Sequence, residues 1–217
     1  MTFLSCLTKD TELVLDSSVI INLLATGHAT SILKALAVPV VVTGNVVREI
    51  ERGAVDGRPE FKLLMAMVNA GVLRVEELEG QAKVTLFDLV SGGTAESLDD
   101  GEAATLAFAH GSGFCAAIDE KKATRLAADR FESLRLVTTI DILAHESVRT
   151  SLGDKLLADA TFQALRRARM QVREHQFEWV AELIGPANVD ACSSLRRLAK
   201  RRSPIRDLQD VNQRAAR

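Results

Sequence analysis

Cysteine is scarce in this chain. Cys6, Cys115 and Cys192 are its only three in 217 residues, and no two share a Cys-x-x-Cys spacing. An odd and scattered set supports neither a disulfide framework nor a zinc knuckle, so a reducing cytoplasm is the expected compartment. Tyrosine is absent and Trp179 is the single tryptophan, which argues against an aromatic base-stacking platform. No apolar run approaches the roughly 18 residues that suggest a membrane span, and no membrane association is expected. The opening MTFLSCLTKD has no basic start and is not read as a signal peptide. There is no Walker-type phosphate loop. Gly111-Ser112-Gly113 precedes an apolar run instead of following one, which makes it a turn and not a dinucleotide loop. His28, His110, His145 and His175 show no ligand-like pairing, and no fixed-period repeat or low-complexity segment occurs.

The remaining composition is that of an ordinary globular protein, 47% hydrophobic and 26% charged. A chain of this length buries about 70% of its unfolded surface and needs no staple for its core. The net charge of −2 is unevenly spread. Residues 186–217 hold eight basic side chains against three acids, a net +5, which leaves −7 for residues 1–185. The reading is an acidic domain over 11–185 with a basic C-terminal tail over 186–217. Such a tail is either a solvated end or a segment that attracts phosphates or an acidic partner.

Short apolar runs alternate with helix-period runs. LVL at 13–15, PVVVT at 39–43, LRVEEL at 73–78, FCAAI at 114–118 and LRLVT at 134–138 read as strands. Between them, helices are expected over 18–26, closed by Gly27, and over 30–37. The next follows Asn45, read as its cap, and ends at Gly53. Others are expected over 58–71, 102–111, 121–130 and 139–150. The 102–111 helix would bury Ala103, Leu106, Ala107 and His110. Residues 80–98 are least defined, with a helix before a turn at Gly92 and Gly93. The stretch 154–185 reads as helix in two pieces, broken near Arg173 to Gln176, with Met170, Val172, Phe177, Val180 and Ile184 packing on the body. Strands separated by helices require crossovers, so the fold class is α/β: three layers, with a mostly parallel central sheet flanked by helices on both faces.

Ligands in such sheets bind beyond the carboxyl ends of the strands. Asp16 ends the first strand and Asp119 ends FCAAI. Glu49 lies about a turn inside the helix that leaves PVVVT, and Glu102 opens the helix leading into FCAAI. Each has a simple local role available. Asp16 can cap the helix at Ser18, Asp99 and Glu102 match a capping box, Asp119-Glu120 can start the Lys121 helix, and Glu49 can face solvent among Arg48, Glu51 and Arg52. Together they suggest something else. Four carboxylates in one pocket cannot all stay ionised unless a cation joins them. Oxygen-only donors select a hard ion, Mg²⁺ or Mn²⁺. One or two such ions suit attack of water on a phosphodiester, with no need for a histidine base or a serine nucleophile.

The segments LVLDSSVIINLL, VVVTGNVVREIERG, LDDGEAATLAFAHGSGFCAAIDEKKATRLA and LVTTIDILAHE lie in the order found in PIN domains. With them the chain resembles that family of metal-dependent nucleases, in particular the ribonucleases of toxin–antitoxin pairs (the VapC type), over about residues 12–185. The resemblance implies Asp16, Glu49, Glu102 and Asp119 as the catalytic, metal-holding acids, and Ser18 as a hydroxyl orienting Asp16 or a metal-bound water. It implies RNA as substrate, Mg²⁺ or Mn²⁺ as cofactor, and an antitoxin protein as partner. Lys121 and Lys122, one turn beyond Asp119, are candidate contacts for the substrate phosphate. RARMQVREHQFEWVAELI (167–184) is a candidate homodimer or antitoxin surface if it is exposed. Two departures stand out: Ala117 occupies the place where many members carry Thr or Ser, and Glu102 replaces the commoner Asp. The expected function is a metal-dependent endoribonuclease, plausibly a toxin. The alternatives are a catalytically silent PIN-fold binding module, or a non-toxin nuclease acting in RNA maturation or on structured DNA.

Overall fold

The computed structural model describes residues 11–54, 57, 59–91 and 97–201. Cys6, Gly92, Gly93 and the tail beyond Arg201 lie outside the described residues. Five strands, β1 (Leu13–Leu15), β2 (Val40–Thr43), β3 (Arg74–Glu76), β4 (Cys115–Ala117) and β5 (Arg135–Val137), form one sheet in the order β3-β2-β1-β4-β5. Every pair is parallel, as the alternation of strands and helices implied. β1 is central, with Leu13 opposite both Val40 and Cys115.

The three middle strands are buried on both faces, which explains their uninterrupted apolar sequence. Their side chains alternate between two cores. Leu13, Leu15, Val40, Val42, Cys115 and Ala117 point into the larger one. It is closed by α1 (Ser17–Ala25), α2 (Ala29–Leu36), α3 (Gly44–Gly53), α4 (Glu60–Asn69), α8 (Thr139–Leu143), α9 (Glu146–Arg167) and α10 (Phe177–Ile184). Val14, Val41 and Ala116 point the other way, into a core shared with α5 (Gly80–Val90), α6 (Asp100–Ser112) and α7 (Lys121–Arg130). The result is the expected three-layer sandwich. α6 is buried nearly all round, from Gly101 to Ala107 and at Ala109, because it packs between the sheet and α5. No single helix among the described residues is long and apolar enough to cross a membrane.

Several boundaries differ from the sequence reading. Thr43, not Asn45, caps α3: the last residue of β2 is still extended, and its hydroxyl accepts from the Val46 N–H at 3.4 Å. His110 is exposed and stacks on Phe131 with ring centroids 4.4 Å apart, instead of joining the buried stripe. The single helix expected over 139–150 is two. The capping box of Thr138 and Asp141 starts the short α8, and His145 then turns extended and caps α9 through Nδ1. α9 is kinked at Gly153, where φ is +72°. Its helical run ends at Arg167, six residues before the expected break. An irregular strap over 168–173 follows, then a 3-10 turn (Glu174–Gln176) and α10.

Met170, Val172, Phe177, Val180 and Ile184 all pack into the larger core. So do Cys192, in the turn after a short helix α11 (Pro186–Val189), and Leu195, from a final helix α12 over 193–201. The described part of the basic tail is therefore mostly helical and anchored by these two buried residues.

α5 should depend on one residue. Leu89 is its only fully buried side chain, whereas Phe87 is 65% exposed. Leu89→Ala is expected to cost about 2–5 kcal/mol, and Phe87→Ala less than about 0.5 kcal/mol. Urea unfolding midpoints of the two variants check this.

Candidate metal and nucleic-acid site

The sheet order makes the site. From β1 the chain moves outward to β2 and β3, then crosses back to lay β4 on the other side of β1. The crevice at such a reversal, beyond the strand carboxyl ends, is where α/β sheets bind ligands. β1 and β4 run in register to their ends, Leu15 opposite Ala117, and the Asp16 N–H donates to the Ala117 carbonyl at 3.1 Å. Asp16 and Asp119 therefore emerge side by side. Glu49 reaches the same place from α3, and Glu102 from the first turn of α6. All four line one cavity of about 340 Å³, together with Ser17, Ser18, Asn22, Asp99, Glu120 and residues 168–171.

Local roles and site roles are divided atom by atom. Asp16 does cap α1: Oδ2 accepts from the Ser18 N–H at 3.2 Å and the Ser18 hydroxyl at 2.6 Å. Its Oδ1 is buried with no hydrogen-bond partner. Glu49 Oε1 accepts from the Ser17 hydroxyl at 2.8 Å, while its Oε2 is likewise buried and unpartnered. A β-carbon added at Gly101 would sit 2.0 Å from Glu49 Oε2 and 3.7 Å from Asp16 Oδ1. The two free oxygens thus flank one small space that only a glycine leaves open. Asp99 caps α6, accepting from the Glu102 N–H at 2.9 Å. The capping box is only half made, and the Glu102 carboxylate lines the cavity instead. Glu120 caps α7, which leaves Asp119 to the site.

Asp119 is held by groups the sequence reading did not single out. Thr139 donates from its N–H to Oδ1 at 2.8 Å and from its hydroxyl to Oδ2 at 2.5 Å, and Asn22 Nδ2 donates to Oδ2 at 2.7 Å. Ala117 therefore deprives Asp119 of nothing essential, since support comes from α1 and the start of α8. The available signals were an amide inside the apolar run VIINLL and a threonine directly after a strand. Lys122 donates to the Ser97 carbonyl and Lys121 is exposed; neither lines the cavity. The cation that does line it is Arg169.

Burial raises the pKa of all four acids. Asp16 moves from 3.8 to about 7, chiefly by desolvation, against the Ser18 hydrogen bond and with a contribution from Glu49. Glu102 moves to about 8 through desolvation and the charges of Asp99, Asp16 and Glu120. Glu49 and Asp119 are raised mainly by desolvation, opposed by their hydroxyl partners. None of the four forms a salt bridge with a described residue. Nor do any three His, Cys, Asp or Glu side chains among the described residues stand close enough to enclose an ion. Two orphaned carboxylate oxygens in a cavity where acids outnumber cations fit a hard divalent ion that keeps most of its waters and takes one or two carboxylates directly.

A family model described as a PIN domain matches residues 12–185, and the chain belongs to the PIN-domain family. No curated protein and no solved structure matches the chain. PIN domains are generally nucleases and typically use divalent metals. This chain therefore has a nuclease-type fold whose substrates are nucleic acids.

Two outcomes follow from the geometry. Without divalent ion, Asp16 and Glu102 keep protons up to about pH 7 and 8 when folded but lose them near pH 4 when unfolded. The folded chain then binds more protons in that window, so stability falls as pH rises from about 5 to 8. Urea unfolding in EDTA at three pH values checks this, and a rising curve contradicts it. Gly101→Ala should fold normally, since it adds helix propensity and displaces only the end of Glu49. It should, however, shrink the gain in melting temperature produced by Mn²⁺.

Proposed function

We propose that the protein is a Mg²⁺- or Mn²⁺-dependent endoribonuclease, acting as the toxin of a toxin–antitoxin pair. The observation that carries this reading is the pair of buried, unpartnered oxygens, Asp16 Oδ1 and Glu49 Oε2, at the switch point of the sheet. Asp16, Glu49, Glu102 and Asp119 would hold the ion. When bound, it would supply hydroxide at neutral pH and neutralise charge on the phosphodiester. The chain's own part is orientation. Ser18 and Ser17 each occupy one oxygen of Asp16 and Glu49, turning the other inward. Thr139 and Asn22 lock the Asp119 plane. Glu102, the least constrained of the four, adjusts to substrate.

The rival reading, a silent binding module, draws on the absence of three tightly clustered acids among the described residues. Ion binding separates the two. Mn²⁺ at a hundredfold excess over its dissociation constant stabilises a loaded fold by about 2.7 kcal/mol, and a silent module gains nothing. Asp16→Asn and Asp119→Asn should fold yet cut RNA at least about a hundredfold more slowly, a loss at the upper end of that seen for residues that merely support a ligand. In EDTA above about pH 7, where Asp16 has lost its proton, Asp16→Asn should be no less stable than the parent, because it removes a buried charge. Undiminished cleavage by both variants sinks the proposal.

A further inference from the structure

A larger groove of about 700 Å³ adjoins the acidic cavity. Ile21, Ala168 and Arg169 line both. The groove walls combine apolar side chains, Leu24 and the 44% exposed Leu63, with two arginines, Arg167 and Arg169. Neither arginine has an ion pair or hydrogen bond with a described residue. Opposite them is Glu60, whose Oε2 is buried and unpartnered.

Arg169 is backbone-strained. Its φ is +54°, and Ala37 is the only other non-glycine with positive φ among the described residues. Arg169 follows the C-cap of α9, and the Met170 N–H reaches back to the Ala164 carbonyl. That is the left-handed position where glycine usually ends a helix. An arginine there costs about 1–2 kcal/mol, and such strain collects at functional positions. The strap carrying it is pinned on its far side: Met170 is buried, and Arg173 donates to Thr124 Oγ1 at 2.8 Å and to the Ile118 carbonyl at 3.5 Å. Arg169 is thus an exposed, unpaired cation on an anchored stretch of backbone at the mouth of an anionic cavity.

Building on the nuclease reading, we propose that this groove carries the unpaired strand on one side of the scissile bond. Arg169 and Arg167 bind the backbone phosphates next to the one being cut. Glu60 accepts from the amino-bearing edge of one base lying against Leu24 and Leu63. A groove of about 700 Å³, the size of a small-ligand pocket, suits part of one strand better than a duplex. With no tyrosine and with aliphatic walls, affinity comes from phosphates more than from stacking.

The test uses the full chain with Ca²⁺ in place of Mg²⁺, and a fluorescein-labelled 12-nucleotide single strand read by anisotropy across salt concentrations. Arg169→Gly should melt at a higher temperature than the parent, because glycine relieves the strain. It should nevertheless bind about tenfold more weakly, with a salt slope reduced by about 0.7, one phosphate's worth for a single strand. Arg169→Lys should recover part of the affinity. At one position next to the cleavage point, amino-bearing bases should be preferred to uracil, and Glu60→Gln should erase that preference. RNA and DNA arms of equal sequence distinguish the two strand chemistries. If the parent binds and cleaves RNA while Arg169→Gly shows unchanged affinity and slope, the groove is not the strand path and falls to a protein segment, with the nuclease reading intact. If the parent neither binds nor cleaves, the nuclease reading fails and this inference with it.

Discussion

The parallel pairing of β1 with β4 is the constraint on which the rest of the molecule depends. The two strands come from opposite halves of the chain, yet their carboxyl ends are level and hydrogen-bonded through Asp16 and Ala117. An aspartate follows each strand. Any register shift would carry one of them to another depth, so the acidic cavity exists only as long as this pair stays in step. The fully buried Leu13, Leu15, Cys115 and Ala117 hold it there, because a one-residue slip would turn them out of the larger core and into the one that Val14 and Ala116 fill.

This arrangement is costly to the fold. Four carboxylates are raised above their ordinary pKa by burial, and none has a salt-bridge partner among the described residues. The surroundings confine that cost through division of labour. Glu120 and Asp99 do the helix capping that Asp119 and Glu102 would otherwise do. Hydroxyls from Ser17, Ser18 and Thr139 each satisfy one oxygen of three of the acids, and the Thr139 N–H satisfies the second oxygen of Asp119. What remains unsatisfied is confined to two oxygens facing one space beside Gly101. Of the six buried side-chain polar atoms without a partner among the described residues, these two share one space between facing carboxylates, an arrangement suited to something that arrives from outside.

The strap after α9 completes the picture from the opposite wall. It is irregular but anchored, by Met170 in the core and Arg173 on the β4–α7 connection. It carries Arg169, the only arginine among the described residues that lines the acidic cavity, and that arginine also lines the neighbouring groove. The 168–173 segment therefore lines both cavities and brings a positive group beside the acidic ones.

Much of this was legible in the chain itself. Strand positions followed from β-branched apolar runs, and the parallel sheet from the helices between them. Asp16 and Asp119 stood out because a charged residue directly after a buried strand has few places to go. Less visible were Asn22, Thr139 and Arg169. Their partners are remote in sequence, and nothing in VIINLL or VTTID announces that an amide and a hydroxyl will meet Asp119. Lys121 and Lys122 looked suitable by proximity, yet neither is among the residues that line the cavity. The amino-acid sequence by itself determined the elements, their polarity and the chemistry available at their ends, because these depend on neighbours a few residues away. Only the tertiary structure decided which oxygens are left without partners and which cation faces them, because hydrogen-bond satisfaction is settled among groups that folding alone brings together.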